Sequence, residues 1–280
     1  MSPTSTIALA GLYVYPIKSC RGTALGRALL TNAGLQHDRE WMVVSDNGRF
    51  LTQRDTPRLA LVVPRLGTEQ LTLEAPGQAP LEIPLDAGGD RRTVTVWRDQ
   101  CAALDAGPAA AQWFSEFLGR PAHLVRFAPD GRRPTDAAWS QGLHGETRFT
   151  DGFPLLVLSR ASLDDLNARL PAPLPLDRFR PNLLLDGSEP YVEDRLASLS
   201  CGRVELRLVK PCTRCAITTT DQATATVTGE EPLRTLRTYR WDAQLRGVTF
   251  GQNAIVAGGA GEMLEPGMPF AATWRQNATA

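Results

Sequence analysis

Short apolar runs recur at close intervals in the first half of the chain. Between residues 59 and 100 there are four of them, LALVVPRL, LTLEA, LEIPL and TVTVWRD, and Gly and Pro turns separate them. Short runs rich in β-branched residues between turn residues are typical of strands, and strands at such spacing are typical of a barrel or a sandwich. The sequence therefore predicts a mainly β (α+β) fold with a few helices.

Other regular segments are predicted outside this region. Residues 109–118, AAAQWFSEFL, have helical spacing and stop at Gly119, with Pro121 just beyond. A chain of 280 residues is long enough for two medium domains, and we divide it into residues 1–120 and 121–280. Further predictions are strands over 7–16, 35–44, 50–54, 155–158 and 250–256, short helices over 163–170 and 231–240, a loop over 128–148, and a continuing strand over 216–220.

Charge and cysteine content limit the partners and the compartment. The formal net charge is zero and the pI is about 6.8, so no basic field exists to attract nucleic acid or an anionic membrane. Five irregularly spaced cysteines do not make a disulfide framework, which predicts a reducing compartment. The first 19 residues have no basic region ahead of their apolar run and predict neither a signal peptide nor a membrane span. We therefore expect a soluble, cytoplasmic protein.

The segment 208–221, LVKPCTRCAITTTD, carries the strongest chemical signal in the chain. It places Cys212 and Cys215 beside two cations, Lys210 and Arg214, which favour the thiolate that acts as nucleophile or soft metal ligand. The same spacing also suits a structural disulfide, a dithiol redox pair or half of a zinc site. No other Cys or His is paired at a ligand spacing, and the β-branched residues after Cys215 do not resemble the helix that follows a thioredoxin-type pair.

The two lysines of the chain both adjoin cysteine-containing segments. Of thirty basic side chains, only Lys18 and Lys210 are lysines, in the segments Lys18-Ser19-Cys20 and Lys210-Pro211-Cys212. An ammonium is a compact, strongly hydrated point charge, whereas a guanidinium is a planar fork. In a chain that otherwise uses arginine, these positions are candidates for places that need the ammonium.

Anion-binding candidates are scattered over most of the chain. Lys18 and Ser19 follow the first predicted strand, Arg39 precedes the next, and Arg180 and Asn182 are two residues apart, which puts them on one face of an extended segment. A solvated turn or a surface ion pair would explain each of these alone. Brought together with Arg214 around one thiolate, they would suit a large anionic cofactor that ends in a soft metal.

At these residues the sequence resembles the MOSC domain family, in particular the mitochondrial amidoxime-reducing components and the bacterial YcbX-like molybdenum enzymes. The resemblance lies in the segments YPIKSC (15–20), HDR (37–39), GRFLTQR (48–54), FRPN (179–182), CTRCAITTTD (212–221), EPL (231–233) with YR (239–240), and FGQ (250–252). The resemblance implies an N-terminal MOSC_N-type β-rich domain packed on a MOSC β-barrel with a few helices.

The resemblance also implies a molybdenum–molybdopterin cofactor and a role for each site residue. Cys215 would be the metal ligand and catalytic thiolate. Asp221 is a candidate for proton delivery if it faces the metal, because release of water from an oxo ligand needs protons, and a hydrogen-bonded carboxylate at the end of a strand is the alternative. Asn253 stands where the mitochondrial proteins carry an aromatic residue, and the segment after Asp221 departs from the usual pattern. The residues expected to hold the cofactor are Lys18, Ser19, Arg39, Gly152, Phe153, Arg180, Asn182, Thr213, Arg214 and Asn253.

The activity implied by the resemblance is reduction of N-hydroxylated compounds, such as hydroxylamines, N-hydroxylated bases and amidoximes, to the amine. Electrons would come from a separate donor, a ferredoxin-type protein or a flavin reductase. The alternative is a carrier that binds the molybdenum cofactor, or that carries sulfur on Cys215, without turning over an organic substrate. Neither alternative involves nucleic acid or a membrane.

Overall fold

The computed structural model describes residues 6–140 and 142–275, and the predicted mainly β fold is confirmed. The helices are α1 Pro108–Leu118, α2 Arg160–Arg169, α3 Val192–Arg195 and α4 Leu233–Arg237, with 3-10 turns at Pro57–Leu61, Leu176–Arg178 and Ala216–Thr219. The strands are β1 Thr6–Val14, β2 Thr23–Leu25, β3 Ala28–Thr31, β4 Gly34–Leu35, β5 Trp41–Val44, β6 Val63–Leu66, β7 Gln70–Glu74, β8 Leu81–Pro84, β9 Arg91–Val96, β10 Asp99–Asp105, β11 His123–Phe127, β12 Leu155–Ser159, β13 Leu183–Asp186, β14 Leu196–Cys201, β15 Val204–Thr213, β16 Trp241–Asp242, β17 Gly247–Gly258, β18 Met263–Leu264 and β19 Pro269–Trp274.

Within the described residues, seven strands close into a barrel in the order β12, β13, β1, β19, β14, β15, β17, and β17 pairs back onto β12. Only β12 and β13 are parallel in this ring, and α2 lies between them in sequence, as a parallel pair requires a crossover. Alternate apolar residues of the strands fill the interior, among them Leu9, Leu185, Leu206 and Phe270.

Strands β5 to β11 form two smaller sheets, β5-β11-β10-β9 and β6-β7-β8, around a second core, while β3 and β4 form a third sheet with β18 and β2 pairs with β1. Helix α1 packs Trp113, Phe114 and Phe117 into that core and ends at Gly119 in the left-handed conformation, φ 67°, as its sequence predicts. Strand pairing crosses residue 120 at several places, because β1 pairs with β13 and β19, β3 pairs with β18, and β11 pairs with β5 and β10. The division at residue 120 stays a prediction.

Some predicted elements differ from the structure. Residues 216–219 form a 3-10 turn instead of continuing β15, because Thr218 and Thr219 donate their hydroxyls to the carbonyls of Cys215 and Ala216. The predicted return strand over 50–54 is reduced to a single bridge between Val44 and Phe50. None of the described helices has the length and apolar character needed to cross a membrane.

Candidate functional site

The residues predicted to hold a cofactor come together in one cavity of about 130 Å³. The turn after β1, the segments that lead into β12 and β13, and the turn after β15 form its walls. Strand β17 joins these segments, because Asn253 pairs with Leu156 on one side and with Lys210 on the other. The predicted residues that line the cavity are Lys18, Ser19, Arg39, Gly152, Phe153, Arg180, Asn182, Thr213, Arg214, Cys215 and Asn253.

Two arginines are fixed side by side by a buried aromatic ring. The guanidinium carbons of Arg39 and Arg180 each lie 4.2 Å from the ring centroid of Tyr15. Arg39 donates to the Asp38 carboxylate at 2.6 Å, whereas Arg180 donates to the carbonyl of Cys20 at 2.7 Å. Burial, together with the charge of Arg39, lowers the pKa of Arg180 to about 10. Two adjacent cations with one directly bonded carboxylate make a region that favours an anion.

Asn182 positions this arginine pair. Its side chain is 1% exposed, accepts from the Leu156 backbone N–H at 3.1 Å and from Arg39 at 3.0 Å, and donates to the Tyr13 carbonyl at 3.1 Å. The predicted extended segment is wrong here, because Arg180 has φ 56° and turns the chain. Arg180 and Asn182 nevertheless reach the same cavity.

Lys18 lies on the other side of the cavity, with 6% of its surface exposed. Its ammonium donates to the Phe149 carbonyl at 2.8 Å and to the Asp151 carboxylate at 2.6 Å. Burial lowers the pKa of Lys18, although Asp151 opposes that shift. The Trp97 indole N–H donates to the same Asp151 oxygen at 3.1 Å, so Asp151 links the lysine to an aromatic ring outside the cavity.

Both thiols of the C-x-x-C segment line the cavity, and each lies beside an arginine. Cys215 precedes the 3-10 turn, and Arg54 lies 3.8 Å from its sulfur. Arg214 donates to the Cys212 sulfur at 3.1 Å and to the Phe179 carbonyl at 2.7 Å. The Nε atom of Arg214 is buried and has no hydrogen-bond partner among the described residues. The guanidinium therefore retains a donor for a bound group.

Asp221 is the predicted site residue that the structure does not bring to the cavity. Its carboxylate accepts from the backbone N–H groups of Ala223 and Thr224, both at 2.9 Å, and from Arg178 at 3.0 Å. These contacts hold the turn after the 3-10 helix. The carboxylate that does line the cavity is Asp151, which the sequence analysis missed.

A larger cleft of about 960 Å³ adjoins the cavity. Cys215, Arg54 and Asp151 line both spaces, so the thiol lies where the cavity meets the cleft. Arg54 is a second residue that the analysis missed. It lies in the quoted segment GRFLTQR, and an arginine within a matched motif was the available signal.

The donor set of the cavity fits an anionic, metal-bearing cofactor. Its described lining holds five cations and one carboxylate, an unpaired buried Nε–H, and a thiol at the opening. Charged donors in a partly buried site hold phosphate and other oxyanions strongly, and a thiolate is a ligand for soft metals. Fold and site together define the class: a closed β-barrel protein with a cationic, thiol-bearing cavity beside an open cleft.

Comparison with known proteins identifies the family. Residues 6–121 match the MOSC N-terminal beta barrel domain and residues 144–268 match the MOSC domain. Mitochondrial amidoxime-reducing component 1 of Homo sapiens is 36% identical over 241 residues, which cover 83% of this chain and 72% of that protein. Mitochondrial amidoxime reducing component 2 of Rattus norvegicus is 35% identical over 240 residues, 82% of this chain and 71% of that protein.

The chain belongs to the MOSC domain family. Among solved structures, the YUAD protein from Bacillus subtilis aligns with 99% of this chain and 100% of its own, at 11% identity and a TM-score of 0.45. That likeness is too loose to carry any argument about the site.

Proposed function

We propose that this protein is a molybdenum-cofactor-dependent reductase that converts N-hydroxylated compounds to amines. Relatives named amidoxime-reducing components, at about 35% identity over 83% of the chain, support this class of reaction. The observation that carries the proposal is the convergence of cations from distant parts of the chain on one cavity that opens at Cys215.

Each wall of the cavity has a distinct part in this proposal. Arg39, Arg180 and Arg214 would hold the anionic groups of the cofactor, and Cys215 would bind its metal. The Asn182 side chain accepts a hydrogen bond from Arg39 and so fixes the orientation of that guanidinium. When bound, the cofactor supplies the electrons and the oxygen acceptor for cleavage of the N–O bond.

The substrate is expected to approach Cys215 from the larger cleft, since Lys18, Arg39 and Arg180 line the cavity and not the cleft. We further propose that a separate ferredoxin-type protein or flavin reductase delivers the electrons. A cytoplasmic location is proposed from cysteine usage alone.

The carrier alternative retains one observation in its favour. A second thiol, Cys212, lies in the same cavity with an arginine on its sulfur, an arrangement that would also suit transfer of sulfur. A carrier would bind the cofactor or a persulfide without reducing an organic substrate.

The test compares the wild-type chain with Cys215→Ser and Cys212→Ser, each expressed in a host that makes the cofactor. We expect about one molybdenum per wild-type chain together with released pterin, and loss of molybdenum in Cys215→Ser alone, because only that thiolate would bind the metal. Given a chemical electron donor, the loaded wild type should reduce a hydroxylamine.

The other outcomes separate the alternatives. Molybdenum without reduction of any N-hydroxylated compound would favour the carrier. Zinc whose content depends on both cysteines would overturn the proposal and indicate a structural metal site.

A further inference from the structure

The cleft beside Cys215 is lined in part by residues that do not line the cavity. Resting on the proposed function, we propose that this cleft selects planar N-hydroxylated substrates that bear a carboxylate or phosphate. The planar ring would stack on Trp97, and the anionic group would pair with Lys210 and Arg98. All three residues line the cleft and none of them lines the cavity.

Trp97 is held in place and remains exposed. It lies in the turn between β9 and β10 with φ 58°, a conformation that costs strain for a bulky side chain. Its N–H is bonded to Asp151, and the Arg54 guanidinium lies 4.4 Å from its ring centroid. Nearly half of the residue, 49%, is nevertheless open to solvent. A strained, anchored and exposed aromatic ring in the cleft that Cys215 also lines is well placed as a stacking surface.

The charges of the cleft favour an anion. Among its carboxylates, Asp151 is paired with Lys18 at 2.6 Å and Asp99 with Arg133 at 2.9 Å, while Asp136 accepts the backbone N–H of Ala138 at 3.0 Å. In the part of the chain that the structure describes, Lys210 and Arg98 have no carboxylate within ion-pair distance. Two cations of the cleft are therefore free to pair with a ligand.

Lys210 is suited to this task by its chemistry. Its ammonium lies 4.8 Å from the centroid of the Trp139 ring, which steadies the side chain without neutralising it. An ammonium offers three donors that rotate freely, so it accepts anions over a range of directions. The two lysines of the chain therefore lie in different parts of the site: Lys18 lines the cavity and Lys210 lines the cleft.

The test measures binding of three product-like amines, aniline, 3-aminobenzoate and 4-aminobenzoate, by calorimetry on the full chain at low ionic strength. We expect at least one aminobenzoate to bind about tenfold more tightly than aniline, because a charge-assisted hydrogen bond distinguishes them. Lys210→Met should remove most of that preference, and Lys210→Arg should retain part of it. Added salt should weaken the preference, because the cleft is open to solvent.

Controls separate local contact from other effects. Arg203→Met removes a positive charge that is 88% exposed, in the turn before β15 and outside the cleft, and should leave the preference unchanged. Trp97→Phe keeps a ring and should retain binding of both amines, whereas Trp97→Leu should weaken both. Thermal unfolding of each variant checks that the fold persists.

Equal affinity for aniline and the aminobenzoates, undetectable binding of both, or a preference that survives Lys210→Met would overturn the inference. Because binding is measured without turnover, the result does not depend on the proposed reaction. A chain that shows the preference but reduces no N-hydroxylated compound would refute the proposed function and leave the anion-selective cleft standing.

Discussion

Replacing Tyr15 tests whether its ring holds the cationic pair together. Tyr15 is 2% exposed, and its hydroxyl donates to the Pro181 carbonyl at 3.1 Å. Tyr15→Phe removes this bond alone and should lower the free energy of unfolding by about 1 kcal/mol. Tyr15→Leu also removes the ring that both guanidiniums contact at 4.2 Å, and each desolvated cation–π contact is worth about 1–2 kcal/mol. The total loss for Tyr15→Leu is then about 3–5 kcal/mol.

Urea unfolding of the chain without cofactor, followed by fluorescence, measures both losses directly. Burial raises the pKa of Tyr15, so the ring stays neutral at ordinary pH and the contacts are cation–π contacts and not ion pairs. At higher phosphate concentration, the difference in unfolding free energy between Tyr15→Phe and Tyr15→Leu should become smaller. A bound anion would relieve the repulsion between Arg39 and Arg180 that the ring otherwise offsets. If Tyr15→Leu costs no more than Tyr15→Phe, the ring does not stabilise the arginine pair and the reasoning fails.

Two further predictions concern the barrel around the site. Burial raises the pKa of Glu193, so stability is present below its unfolded pKa near 4.5 and is lost as pH rises from there toward the raised folded value. Glu193→Gln should therefore gain stability relative to the wild type as pH rises from 4 to 7. Melting temperatures of the two proteins that change with pH by the same amount would contradict this. Gly251 has φ 79°, and an added Cβ would lie 2.9 Å from the Val157 carbonyl, so Gly251→Ala should lower the unfolding free energy by about 2 kcal/mol or more. Gly261→Ala, with φ 97° and open space around it, is the matched control; an equal loss in urea unfolding would mean that backbone strain alone acts.

Local sequence patterns predicted the elements whose stability is local. Helix α1 is an example, because its apolar spacing and its terminal glycine act within a few turns. The strand prediction failed where side-chain hydrogen bonds to the backbone outweighed the strand propensity of the residues. The mostly β-branched segment 216–220 was predicted to be a strand, but the hydroxyls of Thr218 and Thr219 donate to carbonyls three residues earlier, and the pairing of β15 with β17 ends at Thr213. Likewise, a single left-handed residue, Arg180, turned a predicted extended segment into a corner.

The cavity was predictable for a different reason from the cleft. Its cations and thiols lie in motifs with distinctive residue types, so a resemblance to a family could assemble them without any knowledge of distances. Trp97, Arg98 and Lys210 approach one another only because the turn after β9 meets the end of β15, and no local pattern reports that meeting. The proposed cofactor binding would use residues of those motifs, whereas the proposed selection of substrates would use the turns that border the opening. The surface proposed to select the substrate is therefore the part of the site that only the folded chain brings together.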